Sequence, residues 1–307
     1  MSDVGVREKV RFVSDGEECV GWHYAGTNGG CVVMAGGGGV TKEPGTDLFA
    51  ARFHAAGFSV LAFDFRHLGE SAGSPRQVIR IAEQLADWNA AIACAAELPE
   101  VDPTRIAGWS FSLSAGHLLR IAAGPTRLAA VIAQSPMTDN LVAAPKALSY
   151  ESPVAVLGFP LLALADAIGG LLGRPPQTIP LAAPRGRVAL LNTPDAQDGD
   201  RALNPGNRYP DWQQTIAARS VLPLMLYRPA RTAARIRIPL MMIICSDDRS
   251  VLAAPALRAA ERIPHAELLK IPGGHYAPFL DEHERTVEAE LAFLGRVIRE
   301  TAHSTDG

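Results

Sequence analysis

A chain of 307 residues is long enough for one large α/β domain or two smaller ones. Its 48% hydrophobic and 20% charged residues suit a packed globular protein and exclude global disorder. A formal net charge of -3 supplies no basic face, so no nucleic-acid partner is expected.

Residues 1–10 carry charges and no apolar core, unlike a secretory leader. Two alternating segments follow, at 9–13 and 18–24, with Asp15-Gly16 between them, the signal of a β-hairpin. Cys31-Val32-Val33-Met34-Ala35 then reads as a strand covered on both faces, and it ends in four glycines, Gly36 to Gly39. A helix is predicted over 46–56, stopping at Gly57, and a second buried strand over 59–65. Val78, Ile81, Leu85, Trp88 and Ile92 recur at steps of three and four, one face of a long helix. Strands are predicted over 105–109 and 129–133, with a helix starting directly after Ser110.

The alternation breaks between about 138 and 236, where prolines, a polar loop at 195–208 and apolar helical pieces at 154–173 and 212–227 intervene. The stretch 154–173 is interrupted by Pro160, Asp166 and Gly169-Gly170, which argues against a membrane span. Beyond it come strands at 239–245 and 266–271, a helix at 254–263, and a closing helix with Val287, Leu291, Leu294 and Ile298 on one side. Strands alternating with crossover helices imply a mostly parallel, doubly wound sheet extended by the antiparallel hairpin. The expected organisation is a core at 1–137 and 237–307 with a helical lid insertion at 138–236.

The chemistry concentrates at strand ends. Gly108-Trp109-Ser110-Phe111-Ser112 lies where a buried strand turns into a helix, a cramped turn that lifts a serine above the sheet. Ser110 is therefore the expected nucleophile, with Gly108 and Ser112 as the small flanking residues. A serine hydroxyl needs a base. Of eight histidines, His275 alone combines a glycine-freed loop, Gly273-Gly274, with a strand end. Asp247 and Asp248 end the penultimate strand. Asp248 is expected to orient His275, with Asp247 as the alternative and helix capping as the ordinary role of either. The developing oxyanion needs backbone donors: the N–H of Phe111, and one from the glycine loop, Gly38 first and Gly37 second.

These segments resemble the α/β-hydrolase superfamily, in particular its peptidase S15-like and dienelactone-hydrolase-like branch, which includes polyketide-transferase-like members. The resemblance covers almost the whole chain: Gly36 to Glu43 is similar to the oxyanion loop, Asp64-Phe65-Arg66-His67-Leu68-Gly69-Glu70-Ser71 to the Asp-x-Arg-Gly-x-Gly-x-Ser segment, and Gly108 to Ser112 and Gly273 to His275 to the elbow and histidine loop. The departures are Ser112 and His67 in place of glycines, and no histidine before the oxyanion glycines. Asp64 and Arg66 are expected to hold their loop, not to act on substrate.

The expected activity is hydrolysis of a carboxylic ester or thioester through an acyl-enzyme, with an apolar acyl or aromatic small molecule as partner. Acyl transfer of the polyketide-transferase type, carbon–carbon bond hydrolysis and a non-catalytic binding role are the alternatives. The apolar residues of the insertion, Val156, Leu157, Phe159 and Leu162 among them, either line a pocket, pack on the sheet or form a homodimer seam. No cofactor and no metal is implied: Cys19, Cys31, Cys94 and Cys245 lack ligand spacing. A cytoplasmic location is expected.

Overall fold

Short strands that are apolar on both faces must be covered on both, and this requirement sets the architecture. The computed structural model describes residues 7–142, 145 and 152–303, with the side chains of 153–157 and 299–303 outside the description. The side chains of Val156 and Leu157, for which a pocket wall, sheet packing and a dimer seam are the alternatives, therefore lie outside the description. The hairpin is β1 (Glu8–Ser14) and β2 (Glu17–Tyr24), closed by Asp15 at φ 47° and Gly16 at φ 88°, the pair of positive φ values a type I′ turn needs. The remaining strands are β3 (Cys31–Ala35), β4 (Ser59–Phe63), β5 (Ile106–Phe111), β6 (Ala130–Gln134), β7 (Thr178–Pro180), β8 (Thr215–Ala217), β9 (Leu240–Cys245) and β10 (Ala266–Ile271). Eight of them form one sheet in the order β1-β2-β4-β3-β5-β6-β9-β10. The hairpin joins β4 antiparallel, and every pairing from β4 to β10 is parallel.

Helices α1 (Lys42–Ala55), α2 (Ile81–Ala96), α3 (Ser112–Ala122), α4 (Pro153–Leu171), α5 (Gly199–Leu203), α6 (Val221–Met225), α7 (Ala253–Ala260) and α8 (His283–His303) complete the chain. Alternate residues of each strand serve opposite layers. Val33, Leu61 and Phe63 meet Trp88 of α2 and Leu118 of α3; Val32, Met34 and Val60 meet Phe49 and Phe53 of α1 and Leu294 and Ile298 of α8. Each such side chain, fully buried, contributes about 1.5–3 kcal/mol.

Among the element boundaries that differ from the sequence expectation, two matter for the site. Helix α1 begins at Lys42, not residue 46, because the Asp64 carboxylate accepts the Lys42 N–H at 2.7 Å and caps the helix from another loop. Strand β5 continues to Phe111 before α3 starts at Ser112.

The segment between β6 and β9 holds α4, two short helices, several 3-10 turns and a small antiparallel ladder of β7 with β8, so it is less purely helical than expected. Inside it Asp166, buried, accepts both guanidinium arms of Arg219 and the N–H groups of Gln177 and Arg219. Its apolar helix is thus pinned by a polar residue to the insertion's own turns. Among the described residues no helix is long and apolar enough to cross a membrane.

One buried acid is biased toward its protonated form. Glu290 of α8 is fully buried, accepts hydrogen bonds from Trp109 Nε1 and Gln134 Nε2, and is pushed up to about 8 by desolvation, which those two bonds only partly offset. The native state then holds a proton that the unfolded chain releases, so stability falls as pH rises from the ordinary glutamate range through that value. Glu290→Gln is expected to resist urea increasingly better than the wild type as pH is raised from about 6 to about 9, because the amide has no charge to expose. Parallel pH–stability curves would refute this.

Candidate active site

The turn from β5 into α3 is where the site begins. Ser112 has φ 58°, in the left-handed region where a residue with a Cβ is strained by about 1–3 kcal/mol. Such a backbone stands a side chain up from the end of a strand with a helix N-terminus behind it. The small residues that the cramped turn requires two before and two after are Ser110 and Ser114. The buried Ser110 hydroxyl donates to Ala35 O at 2.7 Å, and Ser114 Oγ accepts from Trp88 Nε1 at 3.0 Å. Ser110, expected as the reactive serine, faces the β3 backbone, and it is Ser112, two residues on, that faces the histidine. Gly108 is a mid-strand residue whose Cβ would lie 2.8 Å from Leu118 Cδ2, so it serves the contact of sheet with α3.

His275 stands between two partners. Its Nδ1 is 2.8 Å from Asp248 Oδ2 and its Nε2 is 2.9 Å from Ser112 Oγ. An ionised carboxylate can only accept, so Nδ1 carries the proton and the Nε2 lone pair faces the Ser112 hydroxyl. Asp248 Oδ1 accepts the N–H groups of Ser250 and Val251, both at 2.9 Å, which fixes the carboxylate's orientation. Asp247 does not reach the imidazole; its Oδ2 accepts the Gly273 N–H at 3.2 Å and braces the histidine loop. The His275 ring packs against Phe111, with centroids 4.6 Å apart, and is almost wholly buried.

The glycine loop after β3 lies directly against this turn. A Cβ on Gly37 would sit 3.3 Å from Ser112 Cβ, and one on Gly38 would sit 3.1 Å from Leu113 Cδ2. Phe111, expected to donate to an oxyanion, precedes Ser112 and belongs to β5, paired with Gln134. The residue that follows Ser112 is Leu113, in the first turn of α3, where N–H groups have no intrahelical acceptor. The donor assignment thus moves with the serine, from Phe111 to Leu113.

Buried charges hold the glycine loop. Lys42 Nζ bonds Asp64 Oδ2 at 2.8 Å and Glu70 Oε2 at 2.7 Å, and the Glu70 N–H also meets Asp64. Arg66 donates through Nε to Asp87 at 2.7 Å and through Nη2 to Ser14 at 2.6 Å, tying the hairpin to α2. His67 adopts φ 70°, the left-handed conformation for which the family pattern has glycine, and its Nε2 meets Glu83 at 2.9 Å. Asp64 and Arg66 hold loops, as their sequence context suggests.

A cavity of about 220 Å³ opens beside Ser112. Its wall is mainly apolar, with Phe159, Leu181, Leu203 and Met225 from the segment between β6 and β9, and Arg187 and Asp200 are among the polar residues that also line it.

Over residues 32–289 the sequence matches the Alpha/beta hydrolase family. The chain belongs to that family. Among its relatives, the quorum-quenching protein AidA of Acinetobacter baumannii is 39% identical over 94% of both chains. A polyketide transferase of Aspergillus fumigatus is 30% identical over 94% of this chain and 97% of its own. Of solved structures, the alpha/beta hydrolase GrgF from Penicillium sp. sh18 superposes with a TM-score of 0.80 at 25% identity, covering 96% of this chain and 99% of that one. Sequence reasoning passed over Ser112 and Leu113 although a signal was present: small residues at 108, 110, 112, 114 and 116 give three overlapping pentads, and the one centred on Ser112 lacks glycine.

If Gly108 serves packing and not the turn, Gly108→Ala should cost about 1–3 kcal/mol of stability through overpacking. Urea unfolding would show a lower midpoint with an unchanged slope; a midpoint equal to wild type contradicts the packing role.

Proposed function

We propose that the protein is a serine hydrolase that cleaves a carboxylic ester or thioester with an apolar acyl portion. The reading rests on one observation above all: Ser112 Oγ lies 2.9 Å from an imidazole nitrogen whose partner nitrogen is held at 2.8 Å by a buried carboxylate. In the proposed reaction Ser112 Oγ attacks the carbonyl carbon while its proton passes to His275 Nε2. The carbonyl electron pair moves onto oxygen, where the N–H groups of Leu113 and Gly38, with Gly37 as the alternative, would hold it; each such donor is worth about 3–4 kcal/mol in the transition state. Collapse expels the alcohol or thiol, which takes the proton from His275 and leaves an acyl ester on Ser112. Water then attacks that ester by the same route and releases the acid. Asp248 stabilises the imidazolium in both halves.

The insertion acts as a lid in this proposal, and the apolar wall beside Ser112 supports an acyl chain in preference to a charged small acid. The full-length similarity to a quorum-quenching protein supports a small signalling molecule as the substrate. The polyketide transferase relative supports a second reading, in which a bound alcohol replaces water in the second half-reaction. All four cysteines are free, three of them buried, which suits a cytoplasmic location.

A fluorophosphonate should label the wild type and Ser110→Ala but not Ser112→Ala, and Ser112→Ala should lower esterase turnover by about 10³-fold or more. Labelling of Ser112→Ala at the wild-type rate would remove the basis of the proposal. With p-nitrophenyl esters, kcat/KM should climb from acetate to hexanoate; activity confined to acetate contradicts an apolar acyl site.

A further inference from the structure

The insertion contributes more than apolar wall. From a 3-10 turn at Pro194–Asp198 it inserts one carboxylate, Asp195, into the seam between the two loops that carry Asp248 and His275. Asp195 Oδ2 accepts the backbone N–H of Arg249 at 2.8 Å and the backbone N–H of His275 itself at 3.2 Å. Its Oδ1 accepts the Ser250 hydroxyl at 3.2 Å, and that hydroxyl also meets Thr193 Oγ1 at 2.8 Å, so a second residue of the insertion joins the contact. The fit is close: a Cβ on Gly274 would stand 2.6 Å from Asp195 Cβ, so the residue before His275 must be glycine for the carboxylate to arrive. Desolvation opposes its charge, but the Arg249 N–H, the neighbouring hydroxyl and the proximity of His275 outweigh it and hold Asp195 below the usual aspartate range.

We infer that Asp195 is a positioning residue that couples seating of the insertion to alignment of His275 and Asp248. The inference rests on the proposed hydrolase reading and adds to it a role for the insertion beyond covering the substrate. One oxygen fixes the main chain at His275 and at the residue after Asp248 simultaneously, so withdrawal of the 194–198 turn releases both ends of the imidazole–carboxylate pair. Direct ties between the loops remain, Asp247 N–H to Gly273 O at 3.0 Å and Gly273 N–H to Asp247 Oδ2. The loops therefore stay folded without Asp195, and what is lost is the orientation of the pair.

The test compares Asp195→Ala and Asp195→Asn in the full chain, with turnover of a p-nitrophenyl ester and the low-field NMR resonance of the proton shared by His275 and Asp248. Alanine removes every contact, and kcat should fall by about 10- to 100-fold with KM within about threefold, since a small misalignment acts on the reacting geometry and not on substrate binding. The shared-proton resonance should broaden or disappear. Asparagine keeps an oxygen for the two N–H groups, so it should keep the resonance and recover most of kcat. Wild-type kcat in the alanine variant with the resonance intact, or a loss confined to KM, overturns the inference and leaves Asp195 as part of the roof. If the alanine variant does not fold, Asp195→Ser decides: its short hydroxyl cannot hold both N–H groups, so kcat should fall about threefold or more with KM unchanged, and wild-type values refute the coupling. Fluorophosphonate labelling of Ser112 separates the two readings: labelling without any effect of Asp195 rejects only the coupling, whereas no labelling of the wild type rejects the hydrolase reading itself.

Discussion

A serine held in the left-handed region at the end of a buried strand is the constraint around which the rest is arranged. At φ 58° Ser112 is strained. Relief comes from neighbours that over-determine the turn. Ser110 is tied to the backbone of β3 and Ser114 to the Trp88 indole. Gly116 lets α3 pass so close to Met137 that a Cβ there would meet its carbonyl oxygen at 2.4 Å. Strand β5 is central and fully buried, so the turn cannot relax without unpairing it from β3 and β6.

The second layer of support is ionic and buried, and it orders loops more than it adds net stability. Lys42 and Asp64 are each almost wholly buried, and such a pair recovers roughly its desolvation cost. What it achieves is placement. Asp64 caps α1 through the Lys42 N–H and holds the Lys42 ammonium, so the glycine loop before Lys42 is anchored at its far end. The glycines themselves can approach Ser112 because they lack side chains; the anchor makes that approach permanent. Asp166 with Arg219 does the same inside the insertion.

The fold was legible because its signals are local. The period-two hairpin, the doubly apolar strands and the stripe of α2 each follow from a few adjacent residues, and they appear where the sequence puts them. His275 was legible for a related reason, since Gly273 at φ 95° announces a turn at the end of a strand. The serine that faces His275 was missed because its position depends on where β5 ends, and strand ends are set by tertiary pairing. Phe111 extends β5 because Gln134 across the ladder pairs with it, and no propensity of Phe111 itself carries that information. Asp195 could not be found from spacing at all: it lies 80 residues before the backbone it holds, within a polar loop that reads as an ordinary connection.

The insertion shows why apolar content alone does not assign a surface. Helix α4 is apolar nearly all round, a pattern that implies burial on more than one side. Phe159 does line the cavity and Ala163 is buried, yet Leu161, Leu164, Ile168, Leu171 and Leu172 are exposed. The wall beside Ser112 is instead assembled from separated pieces, Leu181 after β7, Leu203 of α5 and Met225 of α6, brought together because the β7–β8 ladder closes the segment on itself. A pocket built in this way changes shape with any displacement of that ladder, whereas the sheet beneath it cannot follow. In the proposed reaction, substrate preference and reactivity are thereby carried by different parts of the chain, and the few polar contacts that cross between them, those of Asp195 foremost, are the ones able to make one answer to the other.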